Sequence, residues 1–167
     1  MEWTGARYAD GPTVQVETWV DAPPERVWPA VVDVTAMPDQ SPEIVHVEWL
    51  DGGPEVGSRF RGRSSHASLG EWETVSHVVE CEEPRVFAWA VADPDEPTAT
   101  WRFTLDTVDG GTRLRQSVRM GPAPSGLSLA IEAMPDKEQK IVFVRLREFE
   151  RNMTGTVEAI KKRVEGA

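Results

Sequence analysis

Residues 136–164 read DKEQKIVFVRLREFERNMTGTVEAIKKRV. Wound at about 100° per residue, Val142, Leu146, Phe149, Met153, Thr156, Val157, Ile160 and Val164 fall inside one arc about 100° wide, the apolar stripe of a helix lying on a sheet. Asp136 followed three residues later by Gln139 predicts a capping-box start. No glycine or proline interrupts the run before Gly155, which lies off the stripe and weakens a packed helix by only ~1 kcal/mol relative to alanine. A helix of roughly 28 residues, about 42 Å long at 1.5 Å per residue, is the expectation. Ile141, Phe143 and Val144 also fall off the stripe, so the first turns are apolar all round and need a second cover. Residues 127–134 are one candidate cover and a partner chain, as in a homodimer, is the other.

Working back toward the N-terminus, residues 121–124 (GPAP) separate a short apolar helix or lid, Ser125 to Met134, from a series of strands. Six β segments are expected over 44–50, 58–66, 71–81, 86–91, 99–105 and 112–120, joined by hairpin-length turns such as 51–54 (DGGP), 82–84 (EEP) and 109–111 (DGG). A seventh, Thr13 to Val20, alternates Val14, Val16, Thr18 and Val20 with Gln15, Glu17 and Trp19. It is followed by a short amphipathic helix starting near Pro24, which the prolines of 37–42 (MPDQSP) break. Residues 1–12 read as an arm and 13–164 as one domain. A seven-stranded sheet twists too strongly to stay flat and must curl around something. The element with a matching stripe is the C-terminal helix. The predicted fold is therefore α+β, a seven-stranded antiparallel sheet gripping a long helix, with a gap between them of the kind in which small molecules bind.

The 167 residues suit one domain with a real core. Acidic residues outnumber basic ones 28 to 18, and a formal charge of -10 repels phosphate backbones and anionic lipids, so no nucleic-acid partner is expected. No apolar run approaches the ~20 residues of a membrane span, and Met1 to Asp10 lacks the blocks of a secretory signal, so stable membrane insertion is not expected and a cytoplasmic location is. Cys81 is the single cysteine, which leaves no internal disulfide and no thiolate metal site. Seven tryptophans stand beside one tyrosine, bulky walls for a volume to be filled or enclosed.

The Val14 to Val20 strand running into 21–28 (DAPPERVW), together with 38–42 (PDQSP), 56–60 (VGSRF), 71–74 (EWET), 79–84 (VECEEP), 100–103 (TWRF) and 110–114 (GGTRL), resembles the START-like (SRPBCC) superfamily. Within it the chain is similar to the polyketide cyclase/dehydrase and lipid-transport group related to Bet v 1, over about residues 13 to 164. The resemblance implies a helix-grip fold around a cavity. It leaves the activity open, because members include ligand carriers, aromatase/cyclases and chaperone activators. Many relatives carry tryptophan where this chain has Gln40, which implies a more polar cavity mouth here.

Phe60, Trp72, Trp89, Met120 and Phe149 come from the strands and helix that bound the gap and are expected to form its wall. Thr74, Ser76 and Gln116 share faces with them and are expected to orient a ligand, although Val75, Val79 and Cys81 make an alternative inner face for the same strand. Arg145, at the edge of the helix stripe, is either an anion-binding group or a rim salt-bridge former. His66 is either a pocket or a rim residue. Trp28, Trp101 and Phe103 read as structural. The arginine rows 59/61/63 and 113/115/119 read as a solvated convex face paired with Glu73 and its neighbours. His46, His66 and His77 have no ligand spacing, so neither metal nor cofactor is expected. No catalytic residue is singled out. The expected role is binding of a hydrophobic or aromatic, lipid- or polyketide-like molecule, with an aromatase/cyclase-type enzyme or a protein-interaction module as the alternatives.

Overall fold

A computed structural model describes residues 1–167. The strands are β1 (Thr13–Val20), β2 (Ile44–Trp49), β3 (Arg59–His66), β4 (Gly70–Glu82), β5 (Val86–Ala92), β6 (Pro97–Val108) and β7 (Gly111–Met120). They form one antiparallel sheet in the order β1-β7-β6-β5-β4-β3-β2. The first strand therefore pairs with the last, while β2 to β7 follow as a meander. Three helices complete the chain: α1 (Pro24–Val31), α2 (Gly126–Ala133) and α3 (Glu138–Glu165). Proline opens α1, where its missing N–H has no helical acceptor to satisfy in any case. A 3-10 turn over Val34–Asp39 then leads into β2.

α3 buries Val142, Leu146, Met153, Thr156, Val157, Ile160 and Val164 of the expected stripe, together with Arg145, while Phe149 is half-buried; the helix packs against β1, β7 and α1. Each of its large aliphatic side chains contributes about 1.5–3 kcal/mol by leaving water. At its C-terminal end Val157, Ile160 and Val164 join α1 and Phe87, Leu105 and Leu114 of the sheet in the main core. At the other end Val142, Leu146 and Met153 pack with Val14, Val118 and Leu127. The helix has no comparable contact with β3, β4 or β5, and the space on that side is not closed by packing.

Two expectations are corrected. The capping box does not form: Pro135–Lys137 is a separate 3-10 turn, Lys137 precedes α3 without a side-chain cap, and the Gln139 Nε2 donates instead to the Gly5 carbonyl. The cover over the first turns of α3 also differs. α2 shields Ile141, but Phe143 is met by Trp3 of the N-terminal arm, ring centroids 5.1 Å apart and edge-on. Glu138 holds the same arm by accepting the Tyr8 N–H at 3.0 Å and an Arg7 guanidinium N–H at 3.3 Å. Val144 stays 47% exposed. The convex arginines behave as expected, with Arg59 on Asp51, Arg61 on Glu48 and Glu73, and Arg115 on Glu17.

Candidate functional site

A cavity of about 360 Å³ lies between α3 and the concave face of the sheet, within the range of small-molecule sites. Its aromatic wall follows from register. Trp89 and Trp101 are direct partners on β5 and β6, and their rings lie nearly parallel with centroids 6.4 Å apart. Phe149 descends from α3 to meet Trp101 edge-on at 5.1 Å, and Phe60 of β3 meets Trp89 edge-on at 5.6 Å. Rings braced against one another in this way lack the freedom to rotate into the space they enclose.

Phe60, Trp72, Thr74, Trp89, Gln116, Met120, Arg145 and Phe149 all line this cavity. Trp101 and Phe103, read from sequence as structural, line it too, because direct pairing with Trp89 and Gln116 places both on the concave face. Trp28 is buried in the core against Phe87. Tyr8 was missed: it reaches the wall from the arm and donates its hydroxyl to the Ala123 carbonyl at 2.6 Å. Gln40 lies on the cavity wall. No signal in residues 1–12 points to the role of Tyr8.

The face of β4 follows the first reading over Trp72, Thr74 and Ser76, and of the alternative set Val75, Val79 and Cys81 only Cys81 packs on the core, Val75 lying opposite the convex Arg61. Trp72, Thr74, Ser76 and Val78 alternate inward, then the pairing with β5 shifts between Val78 and Glu80. One extra residue at this bulge reverses the alternation, so Cys81, opposite Phe87, is inward as well and packs on the core. Burial, then the Glu83 and Glu55 charges, push the Cys81 thiol up, which makes it a poor nucleophile.

The polar groups fall into two sets. At the rim, Arg145 is 7% exposed and donates to Glu43 from both terminal nitrogens, at 2.9 and 2.8 Å, and to Glu148 at 3.0 Å. Asn152 adds a bond to Glu43 at 2.7 Å. His66 lies outside the cavity wall. Its Nδ1 accepts from the backbone N–H groups of Ser68 and Leu69, so its proton sits on Nε2, which donates to Glu148 at 2.8 Å. Burial raises the Glu148 pKa, but bonds from His66 and Arg145 outweigh it and the carboxyl is held below its usual value. Glu43, His66 and Glu148 each bring a ligand atom within 4.8 Å of the others. Arg145 bonds both carboxylates and His66 bonds Glu148, so the group is an ion-pair and hydrogen-bond network that ties the β3–β4 hairpin and the β2 approach to α3. Arg145 is thus the salt-bridge former of its two expected roles.

Deeper in, Gln116 of β7 is 5% exposed and its Oε1 is sealed from solvent with no protein donor in reach. A buried amide oxygen left in that state costs about 1–3 kcal/mol. Ser64, Thr74 and Ser76 supply hydroxyls on the opposite wall. The carboxylates that reach the cavity, Asp33 and Glu43, are each bonded by an arginine, Arg163 and Arg145. No helix is long and apolar enough to cross a membrane.

The sequence model described as polyketide cyclase / dehydrase and lipid transport matches residues 11–165. No curated protein matches the chain. Among solved structures, a polyketide cyclase-like protein from Corynebacterium glutamicum is 28% identical, with 92% of this chain and 91% of that one covered and a TM-score of 0.65. The Zhui aromatase/cyclase from Streptomyces sp. R1128 is 21% identical over 92% of this chain and 93% of that one, TM-score 0.65. A protein from Thermus thermophilus, TTHA0849, is 16% identical over 93% and 98%, TM-score 0.64. At the last two identities the likeness shows the fold alone. The helix-gripping sheet, the cavity it leaves and a match across nearly the whole sequence give one conclusion: the chain belongs to the polyketide cyclase/dehydrase and lipid transport family of the START-like superfamily.

Proposed function

We propose that this protein binds a hydrophobic, aromatic small molecule in the cavity between α3 and the sheet. The observation that carries the reading is the braced aromatic wall of Phe60, Trp89, Trp101 and Phe149 around about 360 Å³ of space. Burying a ring system there yields several kcal/mol at ~25 cal/mol per Å², before the cost of association. Phe60, Trp72, Met120 and Phe149 supply apolar contact, while Thr74 and Gln116 supply polar contact. Arg145 shapes the mouth.

Binding is favoured over aromatase/cyclase-type catalysis by the state of the acids and bases. General acid work needs a carboxyl whose pKa is raised near the reacting atoms. The carboxylates that reach this cavity are held by arginines, and His66 is engaged at the rim by Glu148. Three tryptophans on the wall, Trp72, Trp89 and Trp101, provide the assay. Titration with aromatic polyketides, flavonoids and fatty acids is expected to quench tryptophan emission saturably for at least one class, with the quench reduced in Trp101→Phe. If no apolar compound quenches saturably, the binding role is wrong.

A further inference from the structure

Between β7 and the body of α3 the chain crosses one side of the cavity as a thin cover, residues 124–141. Ser125, Gly126 and Leu127 bring this segment onto the cavity wall. Leu127 is also its one buried residue. α2, within the segment, packs on α3 and on the Pro135–Lys137 turn but has no comparable contact with any strand, and Leu129 faces solvent at 69% exposure. A segment that buries so little apolar surface belongs to the low end of local stability and opens more easily than the sheet beneath it.

The N-terminal arm is what ties this cover down. The side-chain hydrogen bonds that join residues 124–141 to other parts of the chain all run to residues 5–8. Glu138 accepts from the Tyr8 N–H at 3.0 Å and from Arg7 at 3.3 Å, and Gln139 Nε2 donates to the Gly5 carbonyl at 2.8 Å. Trp3 adds its edge-on contact with Phe143. The arm is itself seated on the sheet side of the gap. Gly121, at φ 76°, leaves room for the Tyr8 ring, which an added Cβ would meet at 3.4 Å. The Tyr8 hydroxyl donates to the Ala123 carbonyl, and backbone bonds from Gly121 to Thr98 and from Ala123 to Pro97 fix that stretch to β6. The arm thus bridges from an anchored point at the end of β6 and β7 to the first turns of α3.

We propose that the N-terminal arm is a clasp that holds residues 124–141 shut, and that ligand enters and leaves where this cover lifts when the arm lets go. The passage rests on the binding role proposed above and adds a route to it. Each tie is a single exposed or half-buried contact, worth a factor of a few in the opening equilibrium, so the arm undocks without unfolding the sheet.

The test combines Trp3→Ala with Gln139→Ala in the full chain, since neither side chain lines the cavity. Amide exchange of the unliganded protein is expected to quicken about fivefold over residues 124–141 and to stay unchanged in β5 and β6. Phenylnaphthylamine, an uncharged fluorescent probe, is expected to associate and dissociate faster by a similar factor in stopped flow, with Kd within about twofold of the parent's. A larger open population speeds both directions, and no contact with the probe is lost. Circular dichroism reports folding, and Gln139→Ala alone, with the same direction expected, stands in if the double variant does not fold. Unchanged exchange over residues 124–141 in a folded variant overturns the clasp. Quicker exchange with unchanged probe rates, or a weaker Kd with an unchanged association rate, overturns the passage. Should the parent not bind this probe, a compound from the panel above that quenches saturably replaces it. If none binds, the binding role and the passage fall together, while the exchange result alone still decides the clasp.

Discussion

Gly111 begins β7 directly beneath the Trp19 indole. A Cβ added there would stand 2.6 Å from the Trp19 ring and would collide with the Val20 carbonyl. The ring can move, but the carbonyl belongs to β1 where Val20 pairs with Thr112, so relief requires the β1–β7 ladder to open. Gly111→Ala is expected to lower stability by about 1–3 kcal/mol, the range for overpacking a close-packed site. Urea denaturation measures it, and a neutral result would mean that the strand end yields. At the same scale, Arg145 shows how a buried charge is tolerated: it is paired with two carboxylates, and the Phe149 ring lies 4.5 Å from its guanidinium.

Among the elements, the N-terminal arm has the least predictable role. The family match starts at residue 11, so most of the arm lies outside the matched residues. Trp3 packs on Phe143, and Tyr8 anchors the arm at Ala123 while lining the cavity. Trp3→Ala is expected to reduce stability by about 0.5–1 kcal/mol. It should also speed amide exchange in the first turns of α3 and leave the buried segment from Val157 to Val164 unchanged. Uniform acceleration along α3 would show that the arm supports the whole helix rather than its start. The β4 bulge is the second decisive element, since one residue between Val78 and Glu80 lets a single strand present Thr74 to the cavity and Cys81 to the core.

Across the whole molecule, acid acts through carboxylates that the folded state keeps ionised. The Thr35 hydroxyl and Arg163 hold Asp33 below its ordinary 3.8, and His66 and Arg145 hold Glu148 below 4.5 despite burial. A carboxyl with a depressed folded-state pKa adds stability that is complete above its unfolded value and disappears as pH falls through the folded one. Melting temperature is therefore expected to fall as pH drops below about 4.5, and the fall should be shallower in Glu148→Gln. The same slope in that variant and the parent would remove Glu148 from the linkage. Protonation also relieves the self-repulsion of a chain carrying -10, so the parent's decline is a net effect of two opposed trends.

Periodicity in the sequence determined the gripping helix, the seven strands and the meander, because each repeats a local pattern of burial that its own residues carry. The same alternation brought Phe60, Trp72, Trp89 and Met120 to the inner face. What only the tertiary structure decided depends on partners distant in the chain. Trp101 joined the wall through its register with Trp89, Arg145 was engaged by Glu43 more than a hundred residues away, and Phe143 found its cover in Trp3. Alternation tells which side of a strand a residue takes, but bulges, ion pairs and arm docking are set by which surfaces meet in three dimensions. No local pattern encodes those meetings.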